Sequence, residues 1–393
     1  MGLGDCPPGY LAKPTQFAYD VLDIAPFPAS EDNGMTRTMT SKERAATAFA
    51  HQEPDRVPVN YLAEVDVDLR LKAHFGLKAD DDEGVRQALG VDFRSVMPAY
   101  TGPRIHPEVP DRQVDPLWGA HTRWIEHETG GYWDFCDFPL QDAGVDEVAA
   151  WPMPNPDHFD YEGFAADVKR YQEYYVAFCF NWMPDVINGT SMLRNMEQVL
   201  VDLMTDDEAC LLFLDRKKAV LLEVFARCFE AAKGGIDMLW MGEDLGTQYS
   251  PLISQDLFRR HIRPRYQPFV DMAKQYNALS MIHTCGCSSW AYDDFIDMGV
   301  SIVDTLQPEA KNMDPAYLKS HFGGRLSFHG CISTAGPLAY GTVEETVSYV
   351  RDTLDIMMPG GEYALAPTHL IQDNSPTENV LAMYEAAKTY GTY

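Results

Sequence analysis

The sequence predicts an α/β protein whose strands close into a (β/α)₈ TIM barrel, with an N-terminal arm and an inserted β-hairpin segment. Short apolar runs of strand length recur eight times, helical patterns separate most of them, and 393 residues suffice for one barrel with additions. Near-continuous apolar strands indicate a parallel sheet covered by helices on both faces, and eight of them favour closure. The same alternation would also permit an open, doubly wound sheet.

The first 40 residues are predicted to form an irregular arm, because they are rich in Pro, Gly and Asp and show no sustained periodicity. Regular structure is expected to begin with TSKERAATAFAHQEP. Thr40 or Ser41 is a suitable N-cap, Glu43 lies in the first turn, and Pro54 stops the helix. Residues 41–393 are expected to form a single barrel domain.

The eight predicted strands are short apolar segments, most of them followed by a helical pattern. They are RVPVNYL (56–62), FRSVMPA (93–99), YVAFCFN (175–181), DMLWMGE (237–243), ALSMIHT (278–284), SIVDTL (301–306), RLSFHGC (325–331) and EYALAPT (362–368).

Residues 101–160 interrupt this rhythm with Pro, Gly and Trp. Within them, HTRWIEHETGGYWDFCDF alternates polar and apolar residues around the pair Gly130-Gly131, which predicts a β-hairpin. This stretch is interpreted as an insertion into the barrel.

Composition excludes several classes of partner. The formal net charge is −28, from 59 acidic and 31 basic residues, and such a surface repels nucleic acid and anionic membranes. No apolar run is long enough to cross a bilayer, and the N-terminus lacks the basic and apolar regions of a signal peptide, so a cytoplasmic protein is expected.

The eight cysteines do not form the dense pattern of a disulfide scaffold, so reduced thiols are expected.

Histidine and cysteine side chains cluster at predicted strand ends. His283 and Cys285 follow one strand, and His329 and Cys331 end another; in each pair the two-residue spacing predicts side chains on the same side. Further groups at strand ends are Glu243, Asp244 and His369. Since the carboxyl ends of barrel strands form the active-site face, an imidazole, two thiolates and an open or carboxylate position would suit catalytic zinc. Packing of Cys and His in the core is the simpler alternative.

Aromatic and sulfur-containing residues, among them Phe178, Trp182 and Trp240, favour either a plain barrel core or an apolar substrate pocket. In the second case Asn181 and Asp185 would be polar anchors at its rim, and with Glu243 they are the candidate catalytic residues. The sequence has no phosphate-binding loop, dinucleotide-binding fingerprint or G-x-S-x-G elbow.

The chain resembles the uroporphyrinogen decarboxylase superfamily and, within it, the cobalamin-dependent methyltransferases. The resemblance covers about residues 40–390. It rests on TSKERAATAFAHQEPDRVPV, DLGTQYSPLISQDLFRRHIRPRYQPFV, IHTCG, LSFHGCIST and GGEYALAPTHLIQDNSPTENVLAMYEAA. Porphyrinogen decarboxylases carry an Arg-containing motif after the first strand to hold substrate carboxylates. Here that region is NYLAEVDVDLRLK, which is acidic, so the methyltransferase branch fits better.

The resemblance implies a (β/α)₈ barrel and zinc held by His283 and Cys285. It implies methyl transfer between a small methylated substrate and a corrinoid on a partner protein. The branch's third thiolate falls where this chain has His369, so Cys331 is the preferred third ligand, with Glu243 or His369 completing the shell. His369 is the alternative third ligand. A methoxylated aromatic donor is favoured. Other readings are transfer from a methylcorrinoid to a thiol or tetrahydrofolate, a metal-free lyase and a non-catalytic corrinoid-binding partner. The sequence leaves a homo-oligomer open.

Overall fold

The computed structural model describes residues 38–127, 130–180 and 183–393. The predicted arm at residues 1–40 lies almost wholly outside the described residues. Within the described ranges a parallel sheet has the order β1-β5-β6-β7-β8-β9-β10, and a smaller antiparallel sheet has the order β2-β3-β4. The strands are β1 Phe93–Val96, β2 Gln113–Val114, β3 His121–His127, β4 Gly130–Cys136, β5 Tyr175–Phe178, β6 Met238–Gly242, β7 Leu279–His283, β8 Ile302–Thr305, β9 Ser327–Ile332 and β10 Tyr363–Pro367.

An extended segment at residues 57–61 closes the barrel between β10 and β1. Val59 forms a parallel bridge with Leu365 of β10, and its carbonyl oxygen accepts a hydrogen bond from Asp92 N (2.9 Å), just before β1. The predicted strand over 56–62 is therefore in place but is not a continuous strand. One reason is Pro58, which has no N–H to donate to a neighbour. The predicted (β/α)₈ barrel is confirmed.

Most of the helices cover the outside of the sheet, and α1 lies at the foot of the barrel. They are α1 Ser41–Phe49, α2 Val65–His74, α3 Asp82–Leu89, α4 Val145–Ala150, α5 Tyr161–Arg170, α6 Ile187–Arg194, α7 Met196–Thr205, α8 Glu208–Ala232, α9 Gln255–Leu257, α10 Arg263–Gln275, α11 Tyr292–Met298, α12 Pro315–Phe322, α13 Pro337–Tyr340, α14 Val343–Met357 and α15 Thr377–Tyr390. A π-helical stretch, Phe258–Ile262, joins α9 to α10. No helix in the described ranges is long and apolar enough to span a bilayer.

Helix α1 begins as predicted and ends earlier than predicted. Thr40 is the N-cap, and its side chain and that of Glu43 form a reciprocal capping box. The helix stops at Phe49, before Pro54 is reached. Phe49 packs against Phe93 and Tyr175 at the foot of the barrel (ring centroids 6.0 and 5.6 Å away), so this helix fills the amino-terminal end of the barrel.

The barrel interior has an apolar lower layer and a polar upper layer. Met238, Trp240, Met281 and Ile302 form part of the buried apolar cluster with α1. One step higher, toward the carboxyl ends of the strands, the inward positions carry polar side chains, including His283. Because side chains alternate along each strand, the intervening residues face the helices and form the larger core. The apolar floor thus supports a polar site at the barrel mouth.

The predicted hairpin is present, and a third strand extends it. In β3 and β4, Trp124 lies opposite Trp133 and Thr122 opposite Phe135, while β2 pairs with the start of β3. This inserted sheet leads through α4 to α5 and then to β5.

Candidate metal centre

Three side chains with metal-ligand atoms meet at the carboxyl ends of β6 and β7. They are Asp244, His283 and Cys285, and their ligand atoms lie within 4.8 Å of one another. His283 ends β7, and Cys285 Sγ lies 3.3 Å from His283 Nε2. Asp244 Oδ1 lies 4.0 Å from the same nitrogen. The structure therefore gathers nitrogen, sulfur and oxygen donors around one point of the mouth.

Asp244 is held by two hydrogen bonds. Its Oδ1 accepts from the backbone N of Cys285 (2.8 Å), and its Oδ2 accepts from Asn188 Nδ2 (2.8 Å) on α6. The first bond fixes the distance between the loops that follow β6 and β7. The second connects the group to the helix that follows β5.

His283 is oriented by Asp304 on the neighbouring strand β8. His283 Nδ1 lies 2.7 Å from Asp304 Oδ2, and Thr305 Oγ1 lies 2.8 Å from Nδ1. An ionised carboxylate only accepts hydrogen bonds, so we assign the proton to Nδ1. With a cation bound, the ring would be neutral and His283 Nε2 would present its lone pair toward Cys285 and Asp244, as a metal ligand requires.

Asp304 connects His283 to a second buried imidazole. Its Oδ1 accepts from His329 Nδ1 (2.6 Å), and His329 Nε2 accepts from Asn60 Nδ2 (3.0 Å). Trp240 Nε1 also donates to Asp304 Oδ2 (3.1 Å). Burial alone would favour the neutral acid, but His329 and His283 hold the pKa of Asp304 well below its usual range. The carboxylate is therefore ionised and has donors on both oxygens.

The pKa shifts within the group follow from burial and proximity. Burial alone would lower the pKa of His283, but Cys285 and Asp304 raise it well above its ordinary value. Burial raises the pKa of the Cys285 thiol, and His283 opposes this rise. By itself the thiol is thus protonated at neutral pH, whereas a bound cation would stabilise the thiolate.

His369 lies beside this group. Its ring centroid is 6.2 Å from that of His283, and its Nδ1 is buried without a hydrogen-bond partner among the described residues. Burial, with His283 nearby, lowers the pKa of His369, so the ring is neutral. It is not one of the three residues whose ligand atoms lie within 4.8 Å.

The structure does not bring Cys331 to the group. Gly330 and Cys331 have φ values of +123° and +71°, which break the alternation of β9. As a result His329 faces Asp304 inside the barrel, while Cys331 is fully buried in the core between sheet and helices. The expectation that both side chains share one side is wrong, and the preference for Cys331 as the third ligand loses its geometric basis.

Glu243 and Asp185 are buried away from the metal group. Glu243 accepts hydrogen bonds from the backbone N of Val186 (2.8 Å) and Ile187 (3.0 Å), so its carboxylate caps the start of α6. Asp185 Oδ1 accepts from Gly189 N (2.9 Å) in the first turn of α6. Burial raises the pKa of Asp185 to about 6, against the opposing effect of Lys217, and raises the pKa of Glu243 well above its usual value. Both positions stabilise the helix start.

Asn181 lies outside the described residues. The sequence pattern places Asp244 at a strand end, but Asp244 was not among the predicted metal ligands. Asp304 and Asn60 were not predicted as site residues. The signal for Asp304 was a charged residue inside the apolar run SIVDTL, at a position whose side chain must face the barrel interior.

Comparisons with known proteins agree with this architecture. Residues 184–390, more than half of the chain, match the family model described as Uroporphyrinogen decarboxylase (URO-D). The chain belongs to the URO-D family. Among solved structures it is similar to a methyltransferase from Methanosarcina mazei, with a TM-score of 0.59, 18% identity and coverage of 89% of this chain and 98% of that one. At that identity the likeness shows the shared fold. No curated protein matches the sequence.

Proposed function

We propose that this URO-D family protein is a zinc-dependent methyltransferase. It moves a methyl group between a small methylated substrate, favoured as a methoxylated aromatic compound, and a corrinoid carried by a partner protein. The observation that supports this proposal is the convergence of Asp244, His283 and Cys285 at the barrel mouth. The name of the Methanosarcina mazei protein of the same fold supports the class of reaction.

The residues present fit zinc. Zn²⁺ binds imidazole, thiolate and carboxylate with bonds of about 2.0–2.3 Å, so tetrahedral ligands lie roughly 3.5 Å apart. His283 Nε2 and Cys285 Sγ are 3.3 Å apart, and Asp244 Oδ1 is 4.0 Å from that nitrogen. We infer that these three side chains hold the ion. We propose that His369, a neutral imidazole with a free buried nitrogen among the described residues, supplies a further ligand.

The residues around the proposed zinc ligands orient the imidazole and shield the site. When bound, zinc supplies a Lewis acid that stabilises negative charge on the substrate heteroatom that loses or gains the methyl group. Asp304 keeps the proton on His283 Nδ1 and fixes the ring orientation. Trp240 and Met281 belong to the buried apolar layer below the site, which keeps water from that side.

The charge at the mouth argues against the metal-free lyase alternative. Glu64, Asp66 and Asp373 lie close together, after the closing segment (57–61) and after β10. Burial, Asp373 and Asp66 raise the pKa of Glu64. Asp244 adds a fourth at the mouth. A polycarboxylate tetrapyrrole would meet repulsion there, whereas a small neutral substrate would not.

Metal content tests the proposed centre. Purified wild-type protein should contain about one zinc per chain, and both Cys285→Ser and His283→Ala should lose most of it. Cys287→Ser is the matched control, because Cys287 is two residues away but is packed in the core cluster. Stoichiometric zinc retained by the Cys285 variant would contradict the proposal.

Turnover tests the reaction and its direction. Zinc-loaded protein should methylate cob(I)alamin from a panel of methoxylated arenes, methylated thiols and methylamines, followed by absorbance. The reverse assay offers methylcobalamin with a thiol or tetrahydrofolate acceptor. Activity that is equal in the zinc-free protein, or absent in both directions while uroporphyrinogen is decarboxylated, would reject the methyltransferase proposal.

A further inference from the structure

A cavity of about 260 Å³ lies between the inserted sheet and the helices α6 and α8. It is separate from the metal group and is mostly apolar. Its lining includes Trp118, Thr122, Phe135, Met192, Phe213 and Lys217. Aromatic rings therefore line this space, and Lys217, the basic group among its described lining residues, comes from the long helix α8.

Lys217 is buried in this lining. Only 7% of the residue is exposed, and its Nζ lies 5.6 Å from the centroid of the Trp118 ring. Among the described residues Nζ donates one hydrogen bond, to the carbonyl oxygen of Asp185 (3.1 Å), although an ammonium has three N–H donors. A β-carbon at Gly189 would collide with Nζ, so the glycine leaves space around the end of the lysine.

Carboxyl groups surround the end of Lys217. Burial lowers the pKa of Lys217, and the nearby Asp185, Glu243 and Asp115 oppose this lowering. Asp115 Oδ1 itself accepts from the backbone N of Leu117 (3.0 Å) and Trp118 (2.6 Å), so this oxygen is already occupied. An anionic ligand would add a negative charge beside these carboxylates. A neutral oxygen acceptor matches the remaining N–H groups better.

The size of the cavity fits one substituted ring. An apolar cavity of about 150 Å³ is known to hold benzene, so about 260 Å³ accommodates a ring with a substituent. We propose that this cavity binds a neutral oxygen-substituted arene, with its ring between Trp118, Phe135 and Phe213 and its oxygen accepting a hydrogen bond from Lys217.

The cavity and the metal group share one turn of helix. Gly189, which lines the cavity, follows Asn188, whose side chain holds Asp244. The inference nevertheless stands apart from the proposed methyl transfer, because binding is measured without corrinoid, acceptor or turnover. A failure to bind the arene would therefore leave the methyl-transfer proposal unaffected, and a failure of methyl transfer would leave the arene-binding proposal unaffected.

Calorimetry with the full-length protein tests the inference, using anisole and its oxygen-free isostere ethylbenzene as probes. Wild-type protein should bind both and prefer anisole by about tenfold, the effect of one hydrogen bond from a charged donor. Lys217→Met should abolish this preference while ethylbenzene still binds, which also shows that the variant is folded.

A cavity-filling pair supplies the matched control. Thr122→Trp should weaken binding of both probes at least about tenfold, because Thr122 faces the cavity on β3. Arg123→Trp introduces the same residue one position along, on the opposite face, and should bind as wild type does. No binding to the wild type, unchanged binding in Thr122→Trp, or tighter binding of benzoate than of anisole would overturn the assignment.

Discussion

Asp304 is the residue on which the geometry of the candidate metal centre depends most. It accepts hydrogen bonds from His283, His329 and Trp240, and no other described carboxylate is placed to hold both imidazoles. Asp304→Asn replaces one acceptor oxygen with an NH₂ group, which cannot accept from a ring N–H. One imidazole must then change tautomer or lose its bond.

We expect Asp304→Asn to weaken zinc binding by roughly 10–100-fold, the usual effect of losing a carboxylate partner behind a histidine ligand. Competition with a chromophoric chelator measures the affinity, and thermal unfolding of the zinc-free protein reports any general loss of stability. Asp297→Asn, at an exposed position, is the control. An unchanged zinc affinity in Asp304→Asn would show that the imidazole is held without it.

Single-residue details decide which site residues the sequence could predict. The two-residue spacing of His283 and Cys285 was enough to place both at one point, because the chain stays extended at the end of β7. The same rule failed for Cys331, since left-handed backbone at Gly330 and Cys331 is not visible in a one-letter pattern. Similarly, the adjacent residues Glu243 and Asp244 face a helix start and the metal group, respectively.

At the scale of elements, the inserted region contains a buried histidine whose protonation would destabilise it. His106 is 4% exposed, stacks on Trp151 with ring centroids 4.9 Å apart, and has no partner for Nε2 among the described residues. Burial lowers the pKa of His106, although the backbone of Leu117 and the carboxylate of Asp115 partly oppose this effect. The folded protein therefore binds this proton less readily than the unfolded chain.

Stability from His106 is fully present above the ordinary histidine pKa of about 6.5 and is lost as the pH falls below it. We expect hydrogen exchange in β3 and β4, relative to β7, to accelerate between pH 7.5 and pH 5. His106→Phe keeps the stacking and should remove this acceleration, whereas His74→Phe at an exposed site should not. The same pH dependence in His106→Phe and wild type would contradict the assignment.

The strands themselves were largely predictable. Seven of the eight apolar runs contain a barrel strand, because burial on both faces leaves a continuous apolar signature. The eighth, at residues 57–61, contains Pro58 and is joined by isolated bridges. This segment is held in the barrel by contacts with β10 and with the residue before β1. Because the contact with β10 is distant in sequence, a local pattern does not show that the strand is interrupted.

For the molecule as a whole, one buried carboxylate contacts all the elements that meet where the barrel closes. Asp92 is fully buried and accepts from Arg44 Nη1 (2.7 Å), Arg56 Nη1 (2.8 Å) and the backbone N of Val59 (2.9 Å). Its own backbone binds Val59 on one side and Tyr175 on the other. It therefore joins helix α1, the closing segment and the sheet in a single network.

Asp92→Asn should lower the free energy of unfolding by roughly 1.5–3 kcal/mol, because it removes the anion that Arg44 and Arg56 share, while Arg44 keeps its ion pair with Asp55 (2.7 Å). Since the segment that Asp92 holds completes the barrel, the loss should appear across the whole fold. Chemical unfolding followed by far-ultraviolet dichroism and by tryptophan fluorescence should give one transition, shifted equally for both probes. Asp80→Asn makes the same chemical change at an exposed position and should shift the midpoint little. Two separate transitions in Asp92→Asn would mean that the closing segment can detach while the remaining strands stay folded. A midpoint equal to that of wild type would mean that closure does not depend on this ion network.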